Sequence, residues 1–410
     1  NSPNNFTISN TLIDVTVSFN APTGQSLTYT TPATSVGQAG SVFTTTTFTV
    51  TDPAGGTLSG TAVITGLPAG ITSTQSYNNT GGGNILTITL NGVYPSVNSI
   101  GTNLVISGLT VALPLVVDFL LVAGGGSGAA LHGGGGGAGG LRTSYGTVSP
   151  ITLNGGSMEN TLTLIPSTSY SITIGAGGAG VTGNAGNTPG FAGSNSSIVG
   201  GAISIISTGG GFGASGGTAA ASSGGSGGGG GGGNGGGGAS VTSPVIQGYA
   251  GGTAYGQASS YSCGGGGGAG SIGGTANSSG GGNGGDGLPN AINVASGTGT
   301  YYAGGGGGGV YTSGTPGTGG SSIGGNAGPA SVGPGGFPGA TNTGSGGGGA
   351  NAQSPQTTGA GGSGIVILRY PNSYTLTNPN AGLIGTFNVA VGTDKVSTIT
   401  GGITNDIQFN

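Results

Sequence analysis

The chain has 410 residues, of which 108 are Gly, while only 3 are Lys or Arg and 7 are Asp or Glu. Without a basic patch, phosphate neutralisation cannot drive nucleic-acid binding. The single Cys excludes an intrachain disulfide framework and a four-Cys zinc site. Hydrophobic residues make up 33% of the chain, and its richness in Val, Ile and Thr is not typical of disorder. We therefore expect an ordered protein that needs no cofactor.

The ends of the sequence and its hydropathy bear on the cellular location. The longest apolar segment, 113–123, contains Pro114 and Asp118 and is too short to span a bilayer, so no membrane insertion is expected. No signal peptide is visible, and the chain opens with Asn1 rather than Met. These features predict a processed product or a fragment of something longer.

Residues 1–112 consist of short segments in which apolar and polar residues alternate, separated by turn signals. Regularly spaced short strands of this kind are typical of an Ig-like β-sandwich. Most of these strands lack the charged residues that usually block edge-to-edge pairing. Either neighbouring modules or identical subunits occupy their edges, or Thr and Asn suffice as polar guards. The expected strands are 13–19, 48–51, 61–64, 85–90 and 104–109.

Residues 118–371 form a glycine-rich module that is bracketed by two continuous apolar segments, 118–123 and 364–370. Short continuous apolar segments are expected of buried strands. Because a linker does not need paired ends, we predict that the module brings these two strands together and pairs them.

The Gly runs inside the module favour one ordered conformation. A helix interior costs about 1 kcal/mol per Gly, a strand of Gly has no side chains to pack, and the strict period of collagen is absent. Polyproline-II geometry remains, and it leaves every N–H and C=O free to bond to neighbouring segments. We therefore predict a hydrogen-bonded bundle of polyglycine-II helices, with a flexible linker as the alternative.

Residues 372–410 return to a mixed β composition, with strands expected at 383–391 and 396–399. They are interpreted as a C-terminal β cap or as the start of another module. The fold class expected for the chain is thus all-β plus polyglycine-II, in the order β-sandwich, glycine-rich bundle and short β segment.

Five motifs recur in characteristic order within residues 118–371. They are FLLVAGGG at 119–126, GGGGGAGGLR at 133–142, YSITIGAGGAG at 170–180, YAGGGGGG at 302–309 and GGSGIVILRY at 361–370. These motifs resemble the glycine-rich domain family that is found in phage tail-fibre adhesins and bacterial surface proteins. The resemblance implies a sandwich of polyglycine-II helices and leaves open whether the chain comes from a phage or a cell.

The residues with catalytic or metal-binding chemistry do not form a convincing site. His132 has no nucleophile elbow and is interpreted as a turn or surface residue, and Cys263 as a buried small apolar residue. Residues 281–289 fit a calcium nonapeptide only once, with Asp286 as the sole Asp, whereas that motif works in tandem copies. Glu159 and Asp286 are too few carboxylates to favour a glycosidase. No enzyme and no metal site are therefore predicted.

The two Arg residues of the module, Arg142 and Arg369, are interpreted as structural. We expect them to hydrogen-bond carbonyls or to pair with Asp118 or Glu159.

Aromatic residues are the better functional candidates, because a Tyr ring combines a large contact area with a hydroxyl. Loops that join polyglycine helices gather at the ends of a bundle, where Tyr can stack on sugars or pack against a surface protein. The alternative is that these rings fill gaps between helices or close the bundle. The candidates are Tyr249, Tyr255, Tyr261, Tyr301, Tyr302 and Tyr311.

The leading hypothesis is an extracellular phage tail-fibre or virion appendage module that recognises a glycan or protein on the host cell. The alternative is a bacterial surface adhesin or the subunit of a self-assembling extracellular filament. In both, neighbouring identical subunits or fibre modules are expected partners.

Overall fold

A computed structural model of the chain shows an essentially all-β protein. In the described residues there is no α-helix, and a single 3-10 turn, Gly320–Ser322, interrupts the β and extended segments. Contacts divide the chain into two compact units, Asn1–Leu115 and Val116–Asn410. The described residues are 4–10, 13–19, 28–29, 46–51, 57–59, 63–65, 67, 70–78, 85–92, 102–107, 110–112 and 115–410, the last without 147–157, 184–187, 217–219, 258–259, 298, 312–313, 330–334, 352–355 and 403–404.

The first unit contains two four-stranded sheets, in the orders β1-β2-β9-β6 and β3-β4-β8-β7, and the pair β5–β10. Burial alternates along β8, where Leu86, Ile88 and Leu90 point into the core. The strands are β1 Asn4–Asn10, β2 Ile13–Phe19, β3 Thr28–Tyr29, β4 Thr46–Thr51, β5 Thr57–Ser59, β6 Val63–Thr65, β7 Ile71–Asn78, β8 Ile85–Gly92, β9 Thr102–Ser107 and β10 Thr110–Ala112.

The strands expected in this unit are confirmed where the structure describes them. Residues 61–62 and 108–109 of two expected strands lie outside the described residues. Sequence reasoning missed the short strands β3, β5 and β10 and the longer strands β1 and β7, whose Asn, Ser, Thr and Gln residues give little apolar signal. The Ig-like arrangement stays a prediction.

The second unit contains a six-stranded sheet, β12-β11-β23-β26-β25 with β13 also on β11, and a five-stranded sheet, β17-β16-β14-β27-β24. The strands are β11 Leu115–Val122, β12 Leu141–Thr143, β13 Leu162–Leu164, β14 Tyr170–Thr173, β15 Thr182–Gly183, β16 Ser196–Gly200, β17 Ile203–Ser207, β18 Tyr255–Gln257, β19 Ser260–Ser262, β20 Leu288–Asn290, β21 Thr300–Tyr302, β22 Gln356–Thr357, β23 Ile365–Pro371, β24 Leu376–Thr377, β25 Leu383–Val391, β26 Asp394–Gly402 and β27 Asn405–Phe409.

The predicted pairing of the two ends of the glycine-rich module is confirmed. Strands β11 and β23 are antiparallel, with Asp118 opposite Arg369 and Val122 opposite Ile365. The segments 119–122 of β11 and 365–368 of β23 are wholly buried, which explains their continuous apolar sequences. The C-terminal residues belong to the same sheets, because β26 pairs with β23 and β27 pairs with β14.

Between the strands, the glycine-rich segments run back and forth. Residues 123–130 leave β11, turn at Leu131 and His132, and return as residues 133–140 into β12. The two segments are antiparallel, since the N–H groups of Ala123, Gly126 and Ala129 donate to carbonyls of residues 140, 137 and 134. We call the side that carries β11, β12 and β23 the strand end, and the side that carries the turn at 131–132 the loop end.

Residues 133–140 show how the glycine-rich segments hold together. All are buried, and each N–H donates to the backbone of another segment. The acceptors are, in order, Ala350, Ala214, Gly264, Gly347, Gly211, Gly267, Gly344 and Thr208.

Every third N–H of residues 133–140 therefore reaches the same neighbour, one of the segments 344–350, 208–214 and 264–267. The carbonyls of the same run accept from other segments, 123–129, 226–229 and 306–309. A strand has ladder partners on two sides only, whereas this run is bonded to its surroundings on all sides.

The distance between neighbouring segments requires Gly. A Cβ placed on Gly135 would lie 2.1 Å from the carbonyl oxygen of Gly306, and one on Gly266 would lie 2.0 Å from that of Gly136. Because the obstructing atoms are backbone, no side-chain rotation relieves the contact. The high Gly content is thus a packing requirement of these runs.

Candidate recognition site

Three aromatic side chains from separate loops meet at the loop end. The ring of His132 stacks on that of Tyr261, with centroids 5.2 Å apart, and Tyr311 meets His132 edge-on at 4.7 Å. Tyr261 and Tyr311 are also edge-to-face, at 5.8 Å. These spacings are those of favourable aromatic pairs. We call His132, Tyr261 and Tyr311 the aromatic cluster.

The backbone positions the aromatic cluster. Tyr261 lies in the hairpin β18–β19, and the next residue, Ser262, forms an antiparallel bridge with Val310. The N–H of Cys263 donates to Gly309, whose own N–H donates to Gly133 at 2.9 Å. The starts or ends of three glycine runs therefore hold the three loops side by side.

His132 occupies a turn, as its sequence context predicts. Its φ is 54° and that of Leu131 is 49°, a left-handed conformation that is uncommon for residues with a side chain. Desolvation by burial lowers the pKa of its imidazole, and its Nε2 is buried without a hydrogen-bond partner among the described residues. The sequence did not reveal that His132 contacts two of the candidate Tyr residues, which follow it by more than a hundred positions.

The structure brings only some of the candidate Tyr residues together. Tyr261 and Tyr311 are partly exposed in the aromatic cluster, and Tyr255 is partly exposed in the same hairpin as Tyr261. Tyr249 is also partly exposed, in the run that follows Gln247, whose carbonyl accepts from Leu141 at the strand end.

Tyr301 and Tyr302 lie at the strand end, away from the aromatic cluster. The run 303–310 begins after Tyr302 and ends beside Tyr311. Tyr301 and Tyr302 therefore lie at the opposite end of this run from Tyr311. Tyr302 is 3% exposed and packs in the core with Leu120 and Ile367, so it fills space inside the protein. Tyr301 is 43% exposed.

The two Arg residues have structural partners, as expected, but one differs from the expected one. Arg142 forms a bidentate pair with Glu159 and donates to the carbonyl of Ile206 at 3.1 Å. Arg369 pairs with Asp394 at 2.8 Å, rather than with Asp118, which faces it across the strands.

Arg369 also donates to Val294 and to the hydroxyl of Tyr145, and it stands 5.1 Å from the centroid of that ring. Asp118 instead accepts a hydrogen bond from Ser144. Arg is the residue type suited to such partly buried pairs, because its guanidinium group can bind a carboxylate through two donors and can stack on an aromatic ring.

Two polar candidates of the sequence remain, Cys263 and Asp286. Cys263 is fully buried, as expected, and desolvation raises the pKa of its thiol to about 12. Asp286 is exposed and accepts a bond from Ser321 at 3.3 Å. Over the described ranges, no three His, Cys, Asp or Glu side chains are grouped so that they could hold a metal ion.

Comparison with known proteins adds one finding. A family model described as "Glycine-rich domain" matches residues 107–371, more than half of the chain. No curated protein and no solved structure matches the sequence significantly. In the part of the chain that the structure describes, no helix has the length and apolarity needed to cross a membrane.

Proposed function

The chain belongs to the glycine-rich domain family, and from this premise we propose that it is an extracellular structural and adhesive protein. The leading form of the proposal is a phage tail-fibre or virion appendage module. Its task is to recognise a glycan or protein on the host-cell surface through loops on a rigid bundle. It acts by binding and not by catalysis.

The rigid bundle in this proposal consists of polyglycine-II helices. A polyproline-II-type helix has three residues per turn and no internal hydrogen bonds, so its N–H groups point in three directions that repeat every third residue. The hydrogen bonds of residues 133–140 follow that repeat. In such a lattice, Gly is required wherever a neighbouring backbone approaches.

The aromatic cluster is the observation that carries the recognition part of the proposal. His132, Tyr261 and Tyr311 come from three loops that are joined at the loop end. Side chains on closely bonded loops lose little conformational entropy on binding. Tyr is also the residue type that adhesive surfaces use most effectively, because it provides area with few rotatable bonds.

An adsorption assay tests this function. Purified full-length chain is added to a panel of bacterial strains, and bound chain is measured by fluorescence. We expect binding to some strains, about tenfold weaker binding of Tyr311→Ala, as for an interface Tyr worth about 1.4 kcal/mol, and unchanged binding of Tyr301→Ala, the matched variant at the strand end. Binding to no strain would contradict the proposal.

A bacterial surface adhesin or filament subunit is the second candidate. It is favoured by the strand β7, which lies at the edge of its sheet, has no charged residue and pairs with β8 in unbroken register from Ile71 to Asn78. Regular uncharged edges are templates for strand addition. Immunogold electron microscopy with an antibody to the chain separates the candidates, since label on a virion tail favours the first and label along a cell-surface polymer favours the second.

A further inference from the structure

Charge is absent from the loop end. By sequence, Glu159 and Asp286 are the only charged residues between Arg142 and Arg369. Glu159 is paired with Arg142 on β12. Asp286 stands two residues before β20, whose Leu288 packs in the same core as Leu120. Both charges are thus at the strand end, where Arg142, Arg369 and Asp394 also lie.

The described surface at the loop end consists of hydroxyl, amide and aromatic groups around the aromatic cluster. Segment 276–281 joins it through the bridge between Gly280 and Thr315, and Thr315 lies four residues after Tyr311. Exposed polar side chains on these loops include Thr253, Thr275, Asn277, Ser278, Ser279 and Thr315.

Large aliphatic side chains are also scarce on the described part of these loops. In the loops that carry the aromatic cluster, 131–132, 255–262 and 310–315, Val310 is buried and Leu131 is partly exposed, and no large aliphatic residue described there is fully exposed. The exposed large hydrophobics of the second unit lie elsewhere in its sequence: Val116, Met158, Ile165, Phe191, Val199, Ile206, Ile272, Tyr301, Phe337, Ile384 and Val389.

We propose that the loop end binds an uncharged glycan, with the rings of Tyr261 and Tyr311 against the apolar faces of its sugars. This inference rests on the proposed function and names the class of surface molecule that the same cluster recognises.

The chemistry of the loop end discriminates among the possible ligands. Acidic polysaccharides carry carboxylates or phosphates, which proteins bind through Arg or Lys, and neither occurs there. A protein partner is normally bound through a desolvated apolar centre with both aromatic and Arg anchors, and these loops carry aromatic rings surrounded by polar groups but no Arg. Neutral sugars present hydroxyls, which amide and hydroxyl side chains serve as both donors and acceptors.

The first arm of the test uses the full chain and a strain that it binds in the adsorption assay. Cells are treated with periodate, which oxidises glycans, or with proteinase K, which removes surface proteins. We expect periodate to abolish binding and proteinase K to leave it unchanged. Raising NaCl from about 0.05 to 0.5 M should change the half-maximal concentration by less than twofold, because salt screens charge pairs and these are absent.

The second arm identifies the glycan class without a mutation. Polysaccharide extracted from the same cells is separated by anion exchange into neutral and acidic fractions, and each competes for binding. Competition by the neutral fraction supports the inference. Tyr311→Phe, which keeps the ring, should bind within about twofold of the native chain, in contrast to Tyr311→Ala.

Each opposite outcome overturns the inference. Competition by the acidic fraction alone, or loss of binding in high salt, would show recognition of an anionic glycan. Loss on proteinase K treatment with survival after periodate would show a protein receptor. In both cases the adhesive function would stand, whereas absence of binding to every strain would remove the proposed function as well.

Discussion

The glycine runs and the strands beside them satisfy their backbone groups in two different ways. Strands β11 and β23 form a ladder and pack through side chains such as Phe119 and Ile367, which are fully buried. The run 133–140 has almost no side chains and bonds to segments on all sides. The ladder tolerates many apolar side chains of suitable size, but the run tolerates only Gly where backbones touch. Exchange of one apolar residue for another should therefore be tolerated in the strands, whereas any side chain added to a Gly should destabilise the run where backbones touch.

The largest effect is expected from Gly135→Ala. The added Cβ would lie 2.1 Å from the carbonyl oxygen of Gly306 and 2.5 Å from its carbon, so backbone must move in a run that is bonded on all sides. We expect a loss of more than about 4 kcal/mol in the free energy of unfolding, or no folding. Denaturant unfolding followed by circular dichroism measures it.

Gly236→Ala is the matched control for Gly135→Ala. Gly236 is exposed, and a Cβ there would meet nothing within 4 Å. Its free energy of unfolding should change by less than about 1 kcal/mol, because Ala also restricts the unfolded chain. Equal changes in the free energy of unfolding of the two variants would contradict the close packing of residues 133–140.

The same difference explains how far the sequence could be interpreted. The apolar pattern of 118–123 and 364–370 predicts buried strands, and because strands must pair, it also predicts the β11–β23 ladder. Gly has no side-chain pattern, so the sequence contains no information on which segments are neighbours. The contact of His132 with Tyr261 and Tyr311 depends on those neighbours and could not be derived, nor could the burial of Tyr302 beside the exposed Tyr301.

The ion pair at the strand end should have the next largest effect. Arg142 is 8% exposed, and Arg142→Met leaves the carboxylate of Glu159 and the carbonyl of Ile206 without this donor. Breaking a buried pair from one side costs about 3 kcal/mol. Thermal or denaturant unfolding of the purified variant measures the loss.

The double variant Arg142→Met with Glu159→Leu sharpens this result. Removing both partners avoids an unpaired buried charge, so we expect it to recover most of the stability that the single variant loses. If the single variant is as stable as the native chain, the pair contributes nothing and the strand end is held by apolar packing alone.

Hydrogen exchange compares the two regions directly without a mutation. If the runs form one cooperative lattice, the amides of 133–140 open only with the whole unit and should exchange as slowly as those of β11 and β23. Mass spectrometry of exchange-labelled peptides measures both. Rapid exchange confined to the runs would indicate a flexible linker between paired strands, and the bundle would have to be abandoned.

The smallest effect at neutral pH concerns the chemical reactivity of Cys263, which directly precedes the buried glycine run 264–268. Its thiol is fully buried with a pKa raised to about 12 by desolvation, and the thiolate is the reactive form. A disulfide reagent such as DTNB at pH 8 should therefore leave the folded chain unlabelled and label it fully in denaturant. Since the folded state holds this proton more tightly than the unfolded state, its contribution to stability is complete below pH 9 and is lost as pH rises towards 12. Rapid labelling of the folded chain at pH 8 would mean that the glycine run after Cys263 opens locally while the paired strands stay folded.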